Sequence, residues 1–171
     1  SIQANGTYRI LVPERGDYRG AVLLKAIDSN AGGANYRDEV TAAQKSLGTP
    51  LRAMGVAQEG QTQFFVMDLD AELVIHITPV TELATRKAGV TNDSAPSVAL
   101  ITQNNQAVAK ALGLGNVDIT ARPEATNSPQ FDANNGLSSG EKYGLLLAKL
   151  SGLDARNGGS VAVSLAQLEQ N

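Results

Sequence analysis

The hydrophobic rhythm of this chain changes near Thr78. Before it, apolar residues come in short runs of strand length, separated by turns rich in Gly, Asn and Asp. Residues 7–12, 20–28, 50–56, 64–67 and 73–77 are such runs, and 35–41 is a weaker, polar one. Runs this short, punctuated by turn residues, predict an antiparallel, sandwich-like β unit rather than a parallel sheet.

After Thr78 the period becomes helical. Thr78 has the chemistry of an N-cap, Pro79 suits the first helical position, and Gly89 supplies a stop. Leu83 and Ala84 are expected to face inward. Asp93 or Ser94 is expected to open a second helix with Pro96 in its first turn. Val98, Ile101, Val108 and Leu112 then recur at helical spacing up to Gly113. Asn105 falls on that apolar stripe, so its amide needs a buried hydrogen-bond partner. Ser138 and Glu141 have capping-box spacing ahead of Tyr143, Leu146, Leu147 and Leu150, with Gly152 as the expected end. Ser160 caps a fourth helix carrying Val161, Leu165 and Leu168. Between the second and third helices, residues 115–140 contain Pro123 and Pro129 and little periodicity, a loop length usually tied to function or mobility. The resulting fold class is α+β: residues 1–171 as one module, 1–78 mainly β, 79–171 mainly α with the long loop 115–140.

Composition narrows the function. Net charge is −3 and the cations are scattered, which argues against a phosphate-backbone or polybasic membrane surface. With no cysteine, disulfides, zinc–thiolate centres and thiol nucleophiles are excluded together. No apolar run has spanning length. The start at Ser1 without a Met reads as a piece of a longer protein.

Candidate chemistry concentrates in oxygen ligands. Asp132, Asn134 and Glu141, with Asn135 and Gly136 between them, resemble part of a calcium loop, although the spacing is not that of an EF-hand. Asp68, Asp70 and Glu72 alternate, which on a strand would put three carboxylates on one face; Asp28, Asp38 and Glu39 are further acidic candidates. The competing reading of these residues is turn chemistry, and for Ser138 with Glu141 a helix cap. Asp93 and Ser94, at an expected helix start, could receive a ligand carboxylate; Asn134 and Asn135 in the loop are further ligand-binding candidates. His76 is the only histidine and sits in a strand pattern, where packing explains it better than catalysis. No nucleophile-elbow motif is present. Arg15-Gly16-Asp17 spells an adhesive tripeptide, but Gly16 as a turn residue accounts for it.

The segment 77–89, with Leu112-Gly113-Leu114, residues 117–120 and 143–153, resembles modules of very large bacterial surface proteins of the repeats-in-toxin adhesin type. That resemblance implies a non-enzymatic, extracellular module on the bacterial cell surface. It would grip a peptide or protein on another cell with the help of calcium, or act as a structural spacer between neighbouring domains of the adhesin. Nucleic acid and direct membrane insertion are not expected.

Overall fold

The computed structural model describes residues 8, 10, 18–28, 33, 36–37, 44–58 and 73–170. The runs at 7–12 and 64–67, the Arg15-Gly16-Asp17 tripeptide, Asp38, Glu39, Asp68, Asp70 and Glu72 fall outside the described residues, apart from Tyr8 and Ile10.

The architecture is α+β. Strand β1 (Gly20–Ala26) pairs antiparallel with β4 (Leu51–Ala57), and the two-residue strands β2 (Tyr36–Arg37) and β3 (Gln44–Lys45) form a second small antiparallel pair. Four helices follow: α1 (Pro79–Lys87), α2 (Val98–Ala111), α3 (Ser139–Arg156) and α4 (Val161–Gln170). The described strands thus form two-stranded sheets, and a sandwich is not among the features these residues show. Residues 73–77, expected as a strand, are irregular. Their backbone bonds go elsewhere: His76 N–H donates to the Thr120 carbonyl at 2.9 Å, and the Tyr8 hydroxyl donates to the Ile75 carbonyl.

Helix α1 is the centre of the molecule. Val80, Thr81, Glu82, Leu83, Ala84 and Thr85 are all buried, so the helix has almost no solvent face. It packs on β4, α2 and α4. A helix this enclosed needs its polar side chains satisfied internally. Thr81 Oγ1 donates to the Thr78 carbonyl at 2.9 Å and Thr85 Oγ1 to the Thr81 carbonyl at 2.8 Å. Thr78 caps the start, as its sequence position predicts, by accepting from Thr81 N–H at 3.2 Å.

Tyr143 joins the halves of the helical region. It is fully buried on α3, its hydroxyl lying 2.6 Å from Thr78 Oγ1 and donating to the Ile119 carbonyl at 2.7 Å. One side chain therefore holds the cap of α1, the long loop and α3 together. Burial also pushes the phenol well above its ordinary titration range. The loop is drawn in further at Gly144. A Cβ built there would sit 1.7 Å from the Glu124 carbonyl oxygen, and Glu124 N–H bonds the Gly140 carbonyl at 2.9 Å. Residues 115–140 are thereby a fitted strap, with Ile119 fully buried.

Two helix boundaries differ from expectation. Helix α2 opens at Ser97, whose hydroxyl accepts from Leu100 N–H at 3.3 Å. Neither Asp93 nor Ser94 caps it, because Asp93 is engaged with Lys25 and Pro96 biases the residue before it away from helix. Helix α3 runs through Gly152 to Arg156, carried on by buried Ser151 and Asp154; the left-handed residues that end it are Gly158 and Gly159. Asn105 does find a partner, donating from Nδ2 to the Met54 carbonyl of β4 at 3.1 Å, while its Oδ1 is a buried acceptor without one.

The two glycines of α3 make a matched test. Gly144→Ala forces a methyl into the Glu124 backbone and is expected to cost about 3 kcal/mol in urea unfolding. At Gly152 a methyl meets nothing within 4 Å, so Gly152→Ala is expected to stabilise the protein by about 0.5–1 kcal/mol through helix propensity. Equal effects at the two positions would show that the strap does not lie against α3.

Candidate functional site

Two cations begin the site. Lys25 on β1 and Arg52 on β4 lie directly opposite each other across the sheet. Like charges in that relation repel, so each requires a carboxylate. Lys25 Nζ finds Asp93 Oδ1 at 2.8 Å, an exposed pair whose cation draws the Asp93 carboxyl below its usual titration range. Arg52 finds Glu82, whose side chain is only 2% exposed.

The Glu82 carboxylate accepts four hydrogen bonds. Arg52 donates from Nε to Oε2 at 3.0 Å, from Nη2 to Oε1 at 2.8 Å and from its backbone N–H to Oε2 at 2.8 Å. Arg86, one helical turn on, donates from Nε to Oε1 at 2.8 Å. Arg52 Nη1 closes the arrangement on the Val90 carbonyl at 2.6 Å. A buried carboxylate is tolerable only when charge and hydrogen bonds replace its lost water, and both are present. The fork-to-fork contact also raises the Arg52 pKa, hydrogen bonding to Glu82 being the main cause.

This clasp forms the floor of an open cleft of about 510 Å3, whose walls include Lys25, Arg86, Val90, Asp93, Asn92 and Glu169. Arg52 spends its donors on Glu82 and Val90. Arg86 does not: beyond Nε, its nearest carboxylate is Glu169 at the end of α4, 3.7 Å from Nη1 and 43% exposed. That separation exceeds hydrogen-bond length. Arg86 lines the cleft, and its one side-chain hydrogen bond among the described residues is the one to Glu82.

The acidic loop residues are brought together elsewhere, and on one another. Asp132 Oδ1 accepts from Asn134 N–H at 2.9 Å and Asn134 Nδ2 at 3.1 Å, and its Oδ2 from Asn135 Nδ2 at 2.7 Å. Glu141 accepts from Asp132 N–H at 2.7 Å and Ser138 N–H at 2.8 Å, completing the capping box with Ser138. Those backbone and side-chain hydrogen bonds hold its carboxyl below the usual range. Among the described residues, no group of three or more His, Cys, Asp or Glu side chains is placed to hold a metal ion.

Of the residues singled out from sequence, Asp93 lines the cleft. Ser94 follows it, its N–H bonded to Asn92 Oδ1 at 3.1 Å. Asp132, Asn134 and Asn135 lie in the separate loop with Glu141 in the first turn of α3, and Asp68 and Asp70 lie outside the described residues. His76 is partly buried, and burial with the nearby Arg122 charge lowers its pKa. Sequence reasoning missed Lys25, Arg52, Glu82, Arg86 and Glu169. The available signals were the i,i+4 spacing of Glu82 and Arg86 and the arginine inside the apolar run 51–57.

The Glu141 arrangement predicts a pH dependence. A carboxyl with a lowered folded pKa stabilises the fold above its unfolded value of about 4.3, and that stability is lost as pH falls through the folded value. Thermal melts of wild type should therefore fall more steeply below about pH 4 than those of Glu141→Gln, which should be the less stable protein at neutral pH. Parallel pH curves would contradict this role. No protein-family model, curated protein or solved structure matches the chain.

Proposed function

We propose that this chain is a non-enzymatic, extracellular adhesion module of a bacterial surface protein, and that it binds a peptide or protein through the cleft over the Glu82 clasp. The observation that carries the reading is the state of the charges in that cleft. Glu82 is held by two arginines and Asp93 by Lys25, so these groups are fixed charges. Charges held in place in this way suit recognition by complementary potential. The open cleft, in which charged side chains alternate with apolar surface including Val90 and Pro50, suits a polypeptide segment.

Calcium is a separate part of the proposal and belongs to the 132–135 loop. An ion there would need the Asn134 and Asn135 amides turned to present oxygen beside Asp132, replacing the hydrogen bonds they now donate. The second reading is a structural spacer. What favours it is the buried clasp, which locks β4, α1 and the Val90 segment into one stiff unit.

Selection from a displayed random-peptide library, run in calcium and again in chelator, separates these readings. Cleft binding predicts enriched peptides in both conditions. No enrichment in either would overturn the binding module in favour of the spacer. If Asp132 holds an ion, calcium raises the melting temperature of chelator-treated protein and Asp132→Asn abolishes the rise; an unchanged melting temperature removes calcium from the proposal.

A further inference from the structure

The charges of the clasp do not close. Two guanidinium groups meet one buried carboxylate, and Arg52 saturates it with a two-pronged contact of 2.8 and 3.0 Å. Arg86 contributes one hydrogen bond at 2.8 Å, which fixes the plane and direction of its guanidinium. Arg86 also lines the cleft, where its Nη1 lies 3.7 Å from Glu169. A guanidinium oriented in this way has already lost the rotamer freedom that binding would otherwise cost, and its planar fork matches a carboxylate.

Glu169 is the anion beside Nη1, and it is a poor occupant. Its carboxylate is 3.7 Å from Arg86 Nη1, makes no hydrogen bond there, and belongs to the penultimate residue of α4. An exposed ion pair of that kind contributes little and can be exchanged. Lys25 lines the same cleft, paired with Asp93 at 2.8 Å.

We infer that Arg86 is a specificity site for an acidic side chain of the partner polypeptide, and that Glu169 occupies it as a displaceable internal substitute. The partner's Asp or Glu takes the Nη donors of Arg86, and Glu169 swings to solvent. This inference rests on the cleft being the polypeptide-binding site. Glu169 then lowers affinity by competition, and it screens the cleft against neutral sequences that cannot displace it.

The test uses fluorescence-labelled hexapeptides, acetylated and amidated so that no terminal carboxylate is present. One carries Glu at two positions and a second carries Gln there; free glutarate serves as competitor. The full chain, Glu169→Gln and Arg86→Gln are compared. The acidic peptide is expected to bind at least about tenfold more tightly than its Gln form, the worth of one charge-assisted contact. Glu169→Gln is expected to tighten it about three- to fivefold, and Arg86→Gln to remove the preference. Because Arg86→Gln also loosens the clasp, Glu169→Gln provides a readout that leaves the fold intact. Equal binding of the Glu and Gln peptides would overturn the inference while leaving polypeptide binding standing. An unchanged affinity in Glu169→Gln would overturn the displacement. Glutarate binding as tightly as the acidic peptide would assign the site to a small dicarboxylate instead. No binding by either peptide would overturn the inference together with the function it rests on.

Discussion

A single buried carboxylate sets the terms for the rest of this molecule. Glu82 lies on a helix that has almost no solvent face, and it is nearly inaccessible itself. Leaving such a group unpaired would cost several kcal/mol, so the chain must bring cations to it. One arrives from strand β4 and one from the next turn of α1. The strand arginine is held by its side chain and its backbone N–H together, which fixes the strand against the helix in register as well as in distance. Its remaining contact, to the Val90 carbonyl, ties down the segment leaving α1. The cleft follows from this arrangement: it is the space above a charge cluster that must be held rigid to be stable at all.

A second joint, built on Tyr143, does for the helical half what Glu82 does between sheet and helix. The phenol reaches the cap of α1 and the carbonyl of Ile119 in one step. Gly140 and Gly144 allow the Glu124 backbone to approach α3 closely enough to complete the strap. The loop that looked most available for function from its length is anchored at Ile119 and Glu124, and Asp132 and Glu141 accept local backbone hydrogen bonds. The cleft lies elsewhere, where two guanidinium groups meet the one buried carboxylate of Glu82.

Local chemistry explains what could be read from the sequence. The Thr78-Pro79 start, the Ser138–Glu141 capping box, the Ser160 cap and the strands at 20–26 and 51–57 depend on neighbours a few residues apart, and the structure contains them. The misplaced boundaries depend on distant residues. Asp93 fails as a cap because Lys25, 68 positions away, engages it. Gly152 fails as a stop because buried Ser151 and Asp154 carry the helix past it. Residues 73–77 look like a strand, yet Thr120 supplies their backbone partner. The site was least legible of all. Glu82 and Arg52 are 30 positions apart, and the local signals, an i,i+4 spacing and an arginine in an apolar run, do not pair them.

The central claim is that Arg52 and Glu82 act as one unit on which the sheet–helix junction depends. A double-mutant cycle tests it most directly, with Arg52→Met, Glu82→Gln and the double variant unfolded in urea. The single variants should be strongly destabilised, with a coupling of about 2–3 kcal/mol, because the double variant no longer buries an orphaned charge. Effects that add to within about 0.5 kcal/mol would contradict it.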